Sequence, residues 1–148
     1  MTTAIFAGSF DPFTIGHADI VKRALLLTDR LVIGVGVNEK KQYSMTTEER
    51  LEAIASLYAD EPKVEVKAYS DLTIDFAKRE NAQAIIKGVR SVKDFEYERE
   101  QAEINRMVGG IETILICADP ALACISSSMV RELAHFGKDT SQFIPKKQ

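Results

Sequence analysis

Cysteine is nearly absent from this chain. Its two examples, Cys117 and Cys124, are spaced neither as a redox C-x-x-C nor as a zinc-ligand pair. Both stand in apolar surroundings, so they are expected to be small buried thiols of the core. Long apolar runs are also missing. Nothing approaches the roughly 20 residues that cross a bilayer, and the first residues lack the basic and apolar layout of a signal peptide. A cytoplasmic protein with no membrane partner is therefore expected. Charge of one sign does not accumulate either: 19 Lys and Arg face 22 Asp and Glu, for a net charge of -3 without any basic tract. This argues against a nucleic-acid polymer as partner and for a small ligand. Three nucleotide or signalling signatures are lacking. No G-x-x-x-x-G-K-[ST] occurs, Ile33-Gly34-Val35-Gly36-Val37 does not complete G-x-G-x-x-G, and the paired acids of a receiver module reduce to Asp11 alone. No repeat, low-complexity stretch or linker divides the chain.

What is present is alternation. The 148 residues, 45% hydrophobic and 28% charged, suffice for one domain spanning 1–148 with a substantial core. Apolar, β-branched runs at Thr3 to Ala7, Leu31 to Val37, Val64 to Tyr69, Ala84 to Ile86 and Ile111 to Cys117 predict strands. Helical spacing separates or follows them at His17 to Leu27, Thr47 to Tyr58, Ile74 to Glu80, Val92 to Val108 and Ser127 to Phe136. Thr46 with Glu49 fits a capping box, and Gly137 follows the last helix. Continuous apolar strands joined by helices predict a five-stranded parallel sheet with helices on both faces, a doubly wound α/β fold. If the strand order is 3-2-1-4-5, it reverses between the first and fourth strands, and ligands favour the crevice there. Gly8 to Thr14, Asn38 to Tyr43, Ser70 to Thr73, Lys87 to Arg90 and Ala118 to Ser128 leave the carboxyl ends of the strands. The site is expected among them.

The run Ala7-Gly8-Ser9-Phe10-Asp11-Pro12-Phe13-Thr14-Ile15-Gly16-His17 reads as a phosphate-handling turn leading into a helix. A histidine among the unpaired amides of a helix start suits anion binding better than general base work. Near the other end, Ser126, Ser127 and Ser128 precede a helix. One serine would serve as an N-cap; three in a row point to a second anion site. His135, at the end of that helix, fits a charge at a helix C-terminus instead.

Thr14-Ile15-Gly16-His17 has the form T-x-G-H, which resembles the H-x-G-H signature of the nucleotidyltransferase superfamily. Gly8 to Pro12, Lys87-Gly88-Val89-Arg90, Asp94-Phe95-Glu96-Tyr97-Glu98 and Ile125 to Ser128 extend the likeness in order along nearly the whole chain. The sequence thereby resembles the bacterial phosphopantetheine adenylyltransferases. The resemblance implies a Rossmann-like domain that transfers the adenylyl group of ATP to 4′-phosphopantetheine, giving dephospho-coenzyme A and pyrophosphate with Mg2+. It also implies a homohexamer and feedback by coenzyme A. Direct in-line attack needs positioned donors and no covalent nucleophile.

Carried onto this sequence, the resemblance makes His17 the transition-state stabiliser, with Lys41 and Arg90 as further catalytic residues. It assigns Ser9, Phe10, His17, Gly88, Val89, Arg90, Glu98, Leu122, Ala123, Cys124, Ile125, Ser126, Ser127 and Ser128 to ATP. Ser9, Lys41, Thr73 and Lys87 fall to the acceptor. The chain departs from the family at three places: Ser9 and Lys87 stand where many members have threonine and arginine, and Leu122-Ala123-Cys124 replaces a more aromatic stretch. Adenine is then expected to pack on aliphatic and thiol groups. No metal-ligand motif is legible, since magnesium in such sites is held largely by substrate phosphates and water. Two rivals are an adenylyltransferase for another acceptor, such as nicotinamide mononucleotide or glycerol phosphate, and a non-catalytic nucleotide sensor on the same scaffold.

Overall fold

The computed structural model describes residues 1–147; Gln148, the last residue of the expected domain, lies outside them. In chain order the elements are β1 (Thr3–Gly8), α1 (Ile15–Ala24), β2 (Arg30–Gly36), α2 (Thr47–Leu57), β3 (Val64–Tyr69) and α3 (Thr73–Arg79). Then follow β4 (Ala84–Val89), α4 (Val92–Gly109), β5 (Glu112–Cys117) and α5 (Ser127–His135). The strands pair in parallel in the order β3-β2-β1-β4-β5, as expected.

Alternate side chains of the central strands enter two cores. Ala4 and Phe6 of β1 and Leu31, Ile33 and Val35 of β2 pack with Ile20, Val21 and Ala24 of α1 and Ile54 of α2. Ile5, Ala7 and Val32 face the opposite side, against Ile74, Phe76 and Ala77 of α3. The pleat sends neighbouring residues to opposite faces, so strands covered on both faces must be apolar throughout. Gly34 is required on the α3 face. The Tyr69 and Phe76 rings stack with centroids 4.5 Å apart, and a Cβ on Gly34 would lie 2.5 Å from Phe76 Cε2. The α2 capping box forms as the sequence predicts: Glu49 N–H donates to Thr46 Oγ1 at 3.1 Å, and Thr46 N–H to Glu49 Oε1 at 2.9 Å.

Three expectations are corrected. Strand four does not end at Ile86; Lys87, Gly88 and Val89 continue the ladder opposite Leu115, Ile116 and Cys117, because pairing with β5 overrides the poor strand propensity of lysine and glycine. The first helix stops at Ala24, leaving Leu26 and Leu27 exposed in the turn beyond. Neither cysteine is buried: Cys117 ends an edge strand, and Cys124 lies in the segment before α5, so apolar neighbours in sequence do not enclose either thiol.

Candidate functional site

The loop leaving β1 is fixed from three directions. The Asp11 carboxylate, buried, accepts from Ser44 N–H at 2.8 Å and Met45 N–H at 2.9 Å. From α5, Arg131 donates to the Asp11 carbonyl and Ser127 Oγ to the Pro12 carbonyl, each at 2.7 Å. Phe10 takes a left-handed φ of 49°. That conformation is strained for a residue with a Cβ, and burial of its ring holds it there.

This rigid loop delivers His17. Thr14 caps α1: its hydroxyl accepts from His17 N–H at 3.4 Å, while His17 Nδ1 accepts from Thr14 N–H at 2.9 Å. The imidazole thus takes the place of glutamate in a capping box. An Nδ1 that receives a backbone N–H carries no proton, so the neutral ring holds its proton on Nε2, as a donor. Phe6, Phe10 and Phe13 surround the ring with centroids 6.2, 5.0 and 5.3 Å away. Burial, and secondarily the charge of Arg90, push its pKa down to about 4. At neutral pH His17 is an uncharged donor on the wall of a cavity.

That cavity, of about 320 Å³, opens at the carboxyl ends of β1 and β4. Ser9, Phe10, His17, Lys41, Lys87, Gly88, Arg90, Glu98, Leu122, Ile125 and Ser126 to Ser128 line it. A second cavity, of about 740 Å³, lies toward β2 and β3 and contains Thr73, whose hydroxyl hydrogen-bonds Tyr69 Oη at 3.0 Å. The two share Ala7, Gly8, Ser9, Lys41 and Lys87. At this junction Lys41 Nζ donates to Ser9 Oγ at 3.1 Å, and Lys87 Nζ stands 3.6 Å from a Glu98 carboxylate oxygen. Arg90 N–H donates to the Asp94 carboxylate at 3.0 Å, starting α4 beside the first cavity. The arrangement gives a neutral donor and several cations, Lys41, Lys87, Arg90 and Arg131 among them, along one continuous groove, a surface for two anionic molecules brought end to end.

Of the predicted residues, Val89, Ala123 and Cys124 do not line either cavity. Val89 is buried at the end of β4, and Cys124 faces solvent. The serine hydroxyls have local partners: Ser126 accepts from Met129 N–H at 3.1 Å as the α5 N-cap, and Ser128 accepts from Arg131 at 3.2 Å. His135 packs against Phe136, with ring centroids 5.0 Å apart, and lines neither cavity. Sequence reasoning missed Arg131, although it lies three residues beyond Ser128, on the same helix face. It also missed Arg50, whose signal was its position four residues before the buried Ile54. Among the described residues no group of three or more His, Cys, Asp and Glu could hold a metal ion, and no helix is long and apolar enough to cross a membrane.

Comparison with known proteins agrees with the geometry. The profile of the cytidylyltransferase-like family matches residues 5–133. A phosphopantetheine adenylyltransferase of Phocaeicola vulgatus is 56% identical over 145 residues, covering 98% of this chain and 96% of the relative. One of Bacteroides fragilis is 53% identical over 146 residues, 99% of this chain and 97% of the relative. Solved structures at 17% identity share the fold. A bifunctional NMN adenylyltransferase/ADP ribose pyrophosphatase from Francisella tularensis superposes with a TM-score of 0.74 over 99% of this chain, which spans 46% of that protein. A putative nicotinate-nucleotide adenylyltransferase from Vibrio parahaemolyticus has a TM-score of 0.68, covering 99% of this chain and 95% of its own. The chain belongs to the cytidylyltransferase-like family and, within it, to the phosphopantetheine adenylyltransferases.

Proposed function

We propose that the two joined cavities transfer the adenylyl group of ATP to 4′-phosphopantetheine, releasing pyrophosphate and dephospho-coenzyme A, by direct in-line attack without a covalent enzyme intermediate. The observation that carries this reading is the junction itself: Ser9, Lys41 and Lys87 belong to both cavities, so the ends of two phosphorylated substrates meet there. ATP occupies the first cavity, with Arg90, Gly88 and the Ser126 to Ser128 turn toward its phosphates and Leu122 and Ile125 beside its base. The acceptor occupies the second, with Thr73 along its length and Lys41 and Ser9 on its phosphate. His17 Nε2–H donates to the α-phosphate oxygens as charge develops on them. Lys41 and Lys87 hold the attacking phosphate in line, where orientation alone supplies much of the rate.

Asp94 and Glu98 are the carboxylates on the first cavity, and each already has a cationic or amide partner. That donor set fits a Mg2+ carried mainly by the ATP phosphates and water, which would neutralise phosphate charge during transfer. Cytoplasmic placement, feedback inhibition by coenzyme A and a homohexamer complete the proposal. The exposed Val92, Phe95, Tyr97, Ile104, Met107 and Val108 along α4 support a contact between copies.

The test is pyrophosphate release by the purified protein with ATP and magnesium. Release is expected with 4′-phosphopantetheine and not with nicotinamide mononucleotide or glycerol phosphate. Release with one of the latter alone, or none from a folded protein, would overturn the reading.

A further inference from the structure

Arg50 lies outside the residues that motif resemblance marks, yet it is among the most enclosed side chains described, 1% exposed. Its Nη1 donates to the carbonyls of Ser9 at 2.7 Å and Gly36 at 3.1 Å, and Nη2 reaches Thr47 Oγ1 at 3.4 Å. The guanidinium sits 3.9 Å from the centre of the Tyr43 ring. Tyr43 Oη accepts from Asn38 N–H at 2.9 Å and donates to the Gly36 carbonyl at 3.4 Å. One side chain therefore ties together the exits of β1 and β2 and the loop carrying Lys41.

Its charge has no counterpart. No carboxylate lies within 4.0 Å of it among the described residues, and its buried Nε has no hydrogen-bond partner. Burying a guanidinium without an acid is costly, and a neutral donor would join two carbonyls without that cost. The cost is offset when an anion occupies the space above Ser9 and Lys41, where the field of a buried charge is weakly screened.

We propose that Arg50 is a positioning residue for the acceptor phosphate: it aligns Ser9 with Lys41 through the Ser9 carbonyl and supplies a buried positive charge beneath them. This rests on the reading of Ser9 and Lys41 as the acceptor-phosphate site. Arg50 lines neither cavity and acts through Ser9 and Lys41. With those two residues on the acceptor phosphate its influence falls on that substrate, whereas a general structural role would affect both.

The experiment compares wild type, Arg50→Lys and Arg50→Gln by steady-state kinetics, varying ATP and 4′-phosphopantetheine in turn, with thermal melting to confirm folding. Arg50→Lys keeps the charge but loses the planar fork. For it, kcat/KM for the acceptor should fall about tenfold, equivalent to about 1.4 kcal/mol, while KM for ATP stays within twofold. Arg50→Gln, which loses the charge as well, should fall at least tenfold further. Should Arg50→Gln fail to fold, the Arg50→Lys split carries the test alone. Equal effects on both substrates, or an unchanged acceptor kcat/KM in a folded variant, would overturn the inference. A wild-type protein that does not turn over the acceptor at all would instead overturn the functional reading beneath it.

Discussion

The protonation state of His17 is open to direct measurement. Its ring nitrogen Nδ1 is committed to Thr14 N–H at 2.9 Å, and burial with the Arg90 charge lowers its pKa from 6.5 to about 4. At about 1.4 kcal/mol per unit, the fold favours the neutral ring by about 3 kcal/mol. The folded value lies below the unfolded one, so this contribution is complete above pH 6.5 and is lost progressively as pH falls toward 4. Protonating Nδ1 would also break the cap of α1 and destroy the alignment of Nε2. Nitrogen-15 NMR of imidazole-labelled protein should show the Nε2–H tautomer at pH 7 and a midpoint near 4. Removing the donor with His17→Ala should lower kcat by about 10²–10³-fold, with ATP affinity nearly unchanged. A midpoint near 6.5, or a proton on Nδ1 at pH 7, would refute the picture of a neutral, pre-aligned donor.

Other perturbations separate the parts of the structure. Lys41→Met removes the ammonium 3.1 Å from Ser9 Oγ; a lost charge-assisted hydrogen bond should raise the acceptor KM by about 10- to 100-fold, read by varying the acceptor at saturating ATP. Gly34→Ala puts a methyl 2.5 Å from Phe76 Cε2, and such overpacking should cost about 1–3 kcal/mol, visible as a lowered melting temperature with turnover retained at 25 °C. Glu80 sits between Arg30 and Lys67, 2.9 Å from each. Burial raises its pKa, but the hydrogen bonds from Lys67 and Arg30 outweigh that and hold it below the ordinary carboxylate value. Its stabilisation is therefore present above pH 4.5 and lost as pH falls through the lowered value. Glu80→Gln should lower stability by about 1–2 kcal/mol at pH 7, a difference from wild type in urea denaturation that narrows in acid.

The sheet was legible because central strands are buried on both faces, Ile5, Val32 and Ile85 on one and Leu31, Ile33 and Ile86 on the other, and so leave long apolar, β-branched runs in the sequence. The end of β4 was not, because Lys87 and Gly88 look like a loop until β5 pairs with them. Exposure of Cys117 has the same origin: local hydropathy does not reveal which strand lies at an edge. The T-x-G-H turn marked His17 without showing that the imidazole completes its own capping box, since that depends on the side-chain rotamer. Lys41 and Lys87 could be named singly from motif positions. Their meeting at one junction depends on the crossing of β1, β2 and β4, and Arg50 on the buried side of α2 on how that helix docks.

The reaction proposed for the junction of the two cavities is one direct displacement. A single diastereomer of ATP bearing sulfur on the α-phosphorus, turned over with 4′-phosphopantetheine, tests it through the configuration of the product. Inversion at phosphorus is the predicted result, because one in-line attack inverts the centre once. Retention would mean two displacements through a covalent adenylyl-enzyme and would rule out direct transfer.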